Sequence, residues 1–152
     1  MQFDQGEHGS RRRGSEDRAG ETEGCQHRTV YDDALRRRIA HQQWLGVALG
    51  DGEAEEWSVT AMCLEYGAGL DNEGYLTLTN RRVLFRADSA DPLGPPRPEF
   101  PYTSIARIRS ERGPMKTAMA GITTTSGAQW HFVTGRKSVR KLKKLARRHR
   151  SH

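Results

Sequence analysis

Apolar and polar positions alternate through most of the chain after residue 55, and the pattern is clearest in Gly74–Phe85, GYLTLTNRRVLF. On an extended chain Leu76 and Leu78 fall on one side, while Tyr75, Thr77 and Thr79 fall on the other. Asn80 begins a turn, because its side chain can bond its own backbone and it tolerates left-handed dihedrals. Val83 to Phe85 form the returning strand, so the segment predicts a hairpin with Arg81 and Arg82 side by side at its tip.

Shorter runs of the same texture occupy residues 56–66, 99–102, 105–111, 115–125 and 128–133. Turn-rich stretches separate them: GAGLDNEG at 67–74, a loop with four prolines at 88–98, and Ser126–Gly127. In the last run Trp130 and Phe132 share one face, opposite Gln129, His131 and Val133. Seven strands of this size, joined by hairpins, predict a mainly β protein: an antiparallel barrel or sandwich.

Two segments have helical periodicity instead. Residues 29–49 place Val30, Ala34, Leu35, Ile39, Trp44, Leu45, Val47 and Leu49 at apolar positions, and GDGE at 50–53 ends them. Thr29 with Asp32 approximates a capping box. Residues 136–149 form a C-terminal helix whose Val139, Leu142, Leu145 and Ala146 share one arc. Lys and Arg fill the other arc. Like charges recur four residues apart there, at a cost of about 0.2–0.5 kcal/mol per pair. Burying Val139, Leu142 and Leu145 stabilises by about 1.5–3 kcal/mol each, so packing wins if the helix has a barrel to sit on. The strands are therefore expected to curl into one closed sheet whose mouth these three side chains plug.

Composition divides the chain. Residues 1–28 hold four apolar side chains against eleven charged ones and five glycines, too little to offset the entropy of ordering, so they read as a disordered tail. The organisation expected is this tail, an N-terminal helix over 29–50, and one β domain over 54–150 that includes the basic helix. Charge divides it again. From Arg112 onward eleven Lys or Arg and no acid give +11, whereas fourteen bases and nineteen acids give residues 1–111 a charge of −5. A basic end on a mildly acidic body predicts one charged face.

No apolar run approaches the roughly 20 residues of a membrane span, and no secretory signal is visible. Cys25 and Cys63 are expected to be unlinked thiols in a reducing compartment, which points to a cytoplasmic protein with at most a peripheral membrane contact. The histidines and cysteines lack zinc-type spacing, and no phosphate-binding loop, dinucleotide fingerprint or nucleophile elbow occurs. Neither an enzyme nor a cofactor is expected. Trp44, Trp57 and Trp130 read as core and seam residues.

Several of these segments resemble bacterial PH-like and GRAM-type domains of the pleckstrin-homology-like superfamily, over residues 54–150. GYLTLTNRRVLF is similar to a hairpin with the pattern G-x-L-x-L-T-N-R-R-hydrophobic-F. EFPYTSIARIRSERG (99–113) resembles the segment that follows it, and ITTTSGAQWHFVTG (122–135) the closing hairpin before the capping helix. The resemblance implies a barrel of about seven strands capped by a C-terminal helix, acting as a binding or scaffolding module. Phosphoinositide-binding members place bases in the first strand–strand loop. Here that loop contains Asp71 and Glu73 and no base, which argues against that ligand.

Two groups of side chains remain as candidate contacts. Arg81 and Arg82 could fork an anion, although a structural role, with one stem lying across the barrel, is preferred. Arg136, Lys137, Arg140, Lys141, Lys144, Arg147 and Arg148 form the candidate anionic-surface face. The expected partner is another protein or a second copy of the chain. The alternative is weak contact with membrane lipid or nucleic acid, gaining on the order of 1 kcal/mol per base near a lipid surface. No small-molecule substrate is expected.

Overall fold

The computed structural model describes residues 22–66 and 72–151, with side chains from Val30 onward. The chain divides into two compact units, Met1–Leu35 and Arg36–His152. In the first, the described residues are helical from Thr22, and Val30, Tyr31 and Leu35 are exposed. Residues 1–21 of the expected tail, and most of the acidic loop at 67–74, lie outside the described residues. The helix α1 spans Thr22–Ala48, seven residues longer at its start than the Thr29 cap predicted.

The second unit is built on β1 (Glu55–Cys63), β2 (Glu73–Thr79), β3 (Arg82–Ala87), β4 (Glu99–Pro101), β5 (Ile105–Arg112), β6 (Ala118–Thr124) and β7 (Gln129–Val133), followed by α2 (Arg136–Arg150). The strands form one antiparallel sheet in the order β4-β3-β2-β1-β7-β6-β5. β1 turns the corner between the two halves, pairing with β2 over most of its length and with β7 only at Met62 and Cys63. The hydrogen-bonded sheet does not close as expected. Among the described residues β4 and β5 remain edges, because β4 is three residues long and a 3-10 turn at Tyr102–Ser104 leads away from it into β5.

Alternation places the core as the pattern predicted. Leu76, Leu78, Val83, Phe85, Phe100, Ile122 and Phe132 meet inside the curled sheet with exposures of 2% or less. Phe132 lies against both Phe85 and Phe100, with ring centroids 5.3 and 6.2 Å apart. Gly74 is required where it stands, since a Cβ there would lie 2.0 Å from the Arg86 carbonyl oxygen. From α2, Val139, Leu142 and Ala146 close the core. Spaced at i, i+3 and i+7 they form one stripe; Leu145 sits at its margin and is half-buried, so Ala146 takes the place expected of it.

Two other expectations change. β6 begins at Ala118 rather than Met115, because the chain first makes a tight turn in which Met115 and Lys116 adopt φ of 54° and 60°. Asn80 does not bond its own backbone. Its Oδ1 accepts from Ala54 N–H and its Nδ2 donates to the Gly52 carbonyl, both at 3.0 Å, tying the hairpin to the loop before β1.

The outer face of β2 and β3 is also buried. Trp44 and Leu45 of α1 pack on Leu84, and the Trp44 indole N–H donates to the Gly94 carbonyl at 2.9 Å. His41, 1% exposed, stacks on Tyr75 at 4.2 Å and reaches the hydroxyls of Thr77 and Ser58 at 3.0 and 3.2 Å. Of the apolar positions read from the sequence of this helix, Val30, Leu35, Ile39 and Val47 are exposed; the buried stripe is His41, Trp44 and Leu45.

Burial lowers the His41 pKa from 6.5 to about 4. A group whose folded pKa lies below its unfolded value is held neutral, so the fold has this stability in full above pH 6.5 and loses it as pH falls towards 4. The expected loss is about 2–3 kcal/mol. Urea midpoints measured between pH 7.5 and 4.5 should fall in the wild type and stay nearly level in His41→Gln. Equal slopes in the two proteins would contradict the assignment.

Candidate functional site

Nine of the fifteen residues of α2 are Lys or Arg. Its start has Gly135 as N-cap with no side-chain cap bond and no acid in the first turn; its last turn holds Arg147, Arg148, His149 and Arg150, where positive charge complements the helix dipole. Packing and a few tethers hold it in place. His149 stacks on Tyr102 at 4.7 Å and its Nε2 lies 2.7 Å from Glu56, which also accepts from Arg148 at 3.3 Å. Two turns earlier on the same side of the helix as Arg148, the Lys141 ammonium lies 5.3 Å from the ring centre of Trp57, the neighbour of Glu56 in β1. Among the described residues, Glu56 is the one acid ion-paired with α2.

Five of the nine bases of α2, Arg148 among them, line a groove. Arg140, Lys143, Lys144, Arg147, Arg148 and Ser151 form one wall and Ser110 of β5 the other, enclosing about 590 Å³. A second hollow of about 350 Å³ shares Ser110 and Arg140 with it, and continues past Arg112, Lys116 and Arg136. Glu111 borders this second hollow, and its carboxylate also lies 3.5 Å from His131 Nε2. The result is a trough along the edge of the sheet in which positive charges converge with little compensation, a geometry that attracts anions and raises their local concentration.

The structure thus brings Arg136, Arg140, Lys144, Arg147 and Arg148 of the predicted face to one groove, while Lys137 and Lys141 lie outside it. Lys143, Ser110 and Ser151 were not among the predicted contacts. Helical periodicity places Lys143 beside Arg140 and Arg147, and so could have found it. Ser110 needed the knowledge that β5 is an edge strand.

Arg82 is fully engaged elsewhere. Its Nε and Nη2 donate to the two oxygens of Glu53 at 2.8 and 3.0 Å, Nη2 also donates to the Ala48 carbonyl at 2.9 Å, and Nη1 pairs with Glu99. Glu53, 2% exposed at its side chain, accepts further from Thr79 Oγ1 at 2.8 Å and Gly50 N–H at 3.0 Å. The hydrogen bonds from Arg82 hold its carboxyl down at about 2. Arg82 therefore joins the end of α1, the loop before β1, and β4. Arg81 is exposed and donates to the Asp51 carbonyl.

Other chemistry-bearing groups are embedded in the fold. Burial pushes the Cys63 thiol up to about 12, well away from the thiolate that a nucleophile needs. Among the described residues no group of three His, Cys, Asp or Glu could hold a metal ion, and no helix is long and apolar enough to cross a membrane.

No protein-family model and no curated protein matches the chain. Forty chains of solved structure do. The Vps36 N-terminal PH domain aligns with a TM-score of 0.51 at 12% identity, covering 68% of this chain and 83% of that one. The C-terminal domain of an unknown protein from Leishmania infantum aligns with a TM-score of 0.54 at 14% identity, covering 73% and 94%. At such identities the likeness is one of fold. A curled antiparallel sheet of seven strands, closed by a C-terminal helix and preceded by an N-terminal one, gives this chain a PH-like fold.

Proposed function

We propose that this protein is a non-enzymatic binding module whose partner is a protein segment carrying negative charge, held in the groove between α2 and β5. One observation carries the reading: bases from α2 converge on a concave trough, with Ser110 as its far wall. A solvated helix face would spread its charges over a convex surface instead. The PH-like fold supports a binding or scaffolding role, and the LTNRR hairpin, with the two segments after it, supports a bacterial GRAM-type member working in the cytoplasm.

The second reading is peripheral contact with membrane lipid or nucleic acid. The bases outside the groove, Lys137 and Lys141, favour it, since they extend the positive surface around the helix. Against membrane insertion, the apolar stripe of α2 is occupied by the barrel core. Against base stacking, the groove contains no aromatic side chain.

The test is charge reversal in the groove. Arg140→Glu, Lys144→Glu and Arg147→Glu are all exposed and replace more like-charge i,i+4 pairs than they create, so the helix is expected to stay folded. Wild type should be retained on immobilised poly-glutamate at low ionic strength and released by salt, whereas the triple variant should flow through. Equal retention of the two proteins would refute the reading.

A further inference from the structure

The groove has a second property that its charge does not explain: its Ser110 wall is an unpaired strand edge. The phase of the β5–β6 ladder follows from bonds at its ends. Gly113 N–H donates to the Thr117 carbonyl at 2.7 Å, so residue 117 faces β5. Thr134 N–H donates to the Ala118 carbonyl at 3.2 Å, so residue 118 faces β7. In an antiparallel ladder both main-chain groups of a residue point the same way and successive residues alternate. Met119, Gly121 and Thr123 therefore bond Glu111, Arg109 and Arg107, their register partners.

The main-chain groups of Ile108, Ser110 and Arg112 consequently point away from β6, along the edge on which Ser110 and Arg112 border the groove and its continuation. Among the described residues none of them has a hydrogen-bond partner. Ala106, before them, has its carbonyl covered by Arg150 Nη2 at 2.8 Å. An open strand edge is a template for pairing with another extended chain. The exposed stretch from Ile108 to Arg112 is about 16 Å long, room for a strand of about five residues.

We propose that the groove takes an extended acidic peptide, which adds to β5 as a further strand and directs alternate carboxylates at Arg140, Lys143, Lys144 and Arg147. The two halves of the site select different features of one ligand. The strand edge selects an extended main chain with available N–H and C=O groups, which neither a phospholipid nor a nucleic acid supplies. The basic wall selects acids at every second position, because only alternate side chains of a strand face the same way. A serine at position 110 keeps this approach open, since it is small and exposed. This inference rests on the anionic-partner reading above.

The experiment uses a labelled nine-residue peptide with glutamate at alternate positions, titrated into the full chain and followed by fluorescence anisotropy. Two control peptides have the same composition: one has its glutamates in consecutive positions, and the other is N-methylated at alternate main-chain nitrogens on the pairing edge. The alternating peptide should bind, and each control should bind about tenfold more weakly or worse, through lost main-chain bonds or misplaced charge. Arg140→Glu/Lys144→Glu/Arg147→Glu should weaken all three. If the triple variant loses binding while N-methylation and shuffling change nothing, the groove is an anion site without strand addition, and this inference fails alone. If the triple variant binds all three as well as wild type, the anionic-partner reading fails with it. Binding to phosphatidylserine vesicles or duplex DNA, with none to any peptide, would likewise overturn both.

Discussion

Trp44→Ala is expected to destabilise the protein by about 3–5 kcal/mol, the range for removing a buried aromatic side chain. Trp44 is 1% exposed and packs with Leu45 on Leu84, over the outer face of the sheet. Its indole N–H is the donor to the Gly94 carbonyl, and its ring covers the Arg86 guanidinium, whose carbon lies 5.8 Å from the ring centre. Alanine would leave a cavity, an unpaired carbonyl and an uncovered cation together. Val47→Ala, three residues on and 62% exposed, should change stability by less than about 0.5 kcal/mol. Urea unfolding followed by circular dichroism measures both. If Trp44→Ala costs no more than Val47→Ala, the end of α1 does not cover β2 and β3 as described.

Arg82→Ala is expected to cost about 3–5 kcal/mol, because it leaves the Glu53 carboxylate buried without its cation. Thr79 and Gly50 would still donate to Glu53, but two donors do not offset the desolvation of a charge. Adding Glu53→Gln to Arg82→Ala should recover part of the loss, since a neutral amide tolerates the site better. Arg81→Ala should cost under about 1 kcal/mol, because the residue is exposed and bonds one loop carbonyl. Chemical denaturation of the four proteins decides the matter. A larger loss for Arg81→Ala than for Arg82→Ala would reverse the roles assigned to the pair.

These two residues mark the limit of what the sequence pattern conveys. Alternation in GYLTLT separated Leu76 and Leu78 from Tyr75, Thr77 and Thr79, and the separation is real. The pattern assigns no partner to the hydroxyl face, however, and here Thr77 and Thr79 are fully buried. They are satisfied by His41 and Glu53, which come from 36 and 26 positions away in the chain. No local signal announces such partners. The same cause misdirected the reading of α1: apolar residues suggested its buried stripe, while the residue at its centre is a histidine made acceptable by Ser58 and Thr77.

The basic helix was legible because a one-sided charge run needs only helical periodicity to become a face. Its division into groove-lining and outlying bases was not, since that depends on which strand lies alongside. β5 reads as an ordinary strand from Ile105 and Ile108. That it ends the sheet follows from the shortness of β4 and the turn at Tyr102–Ser104, a three-dimensional outcome of where the chain can reach.

The most direct measurement is amide hydrogen exchange resolved by residue, with and without the alternating glutamate peptide. The amides of Ile108, Ser110 and Arg112 point outwards and are expected to exchange quickly in the unbound protein while Arg107, Arg109 and Glu111 exchange slowly. Peptide should slow the first three and leave the hairpin at Asn80–Arg82 unchanged. Protection appearing at Arg81 and Gly50–Gly52, with β5 unaffected, would contradict a binding groove beside the sheet edge.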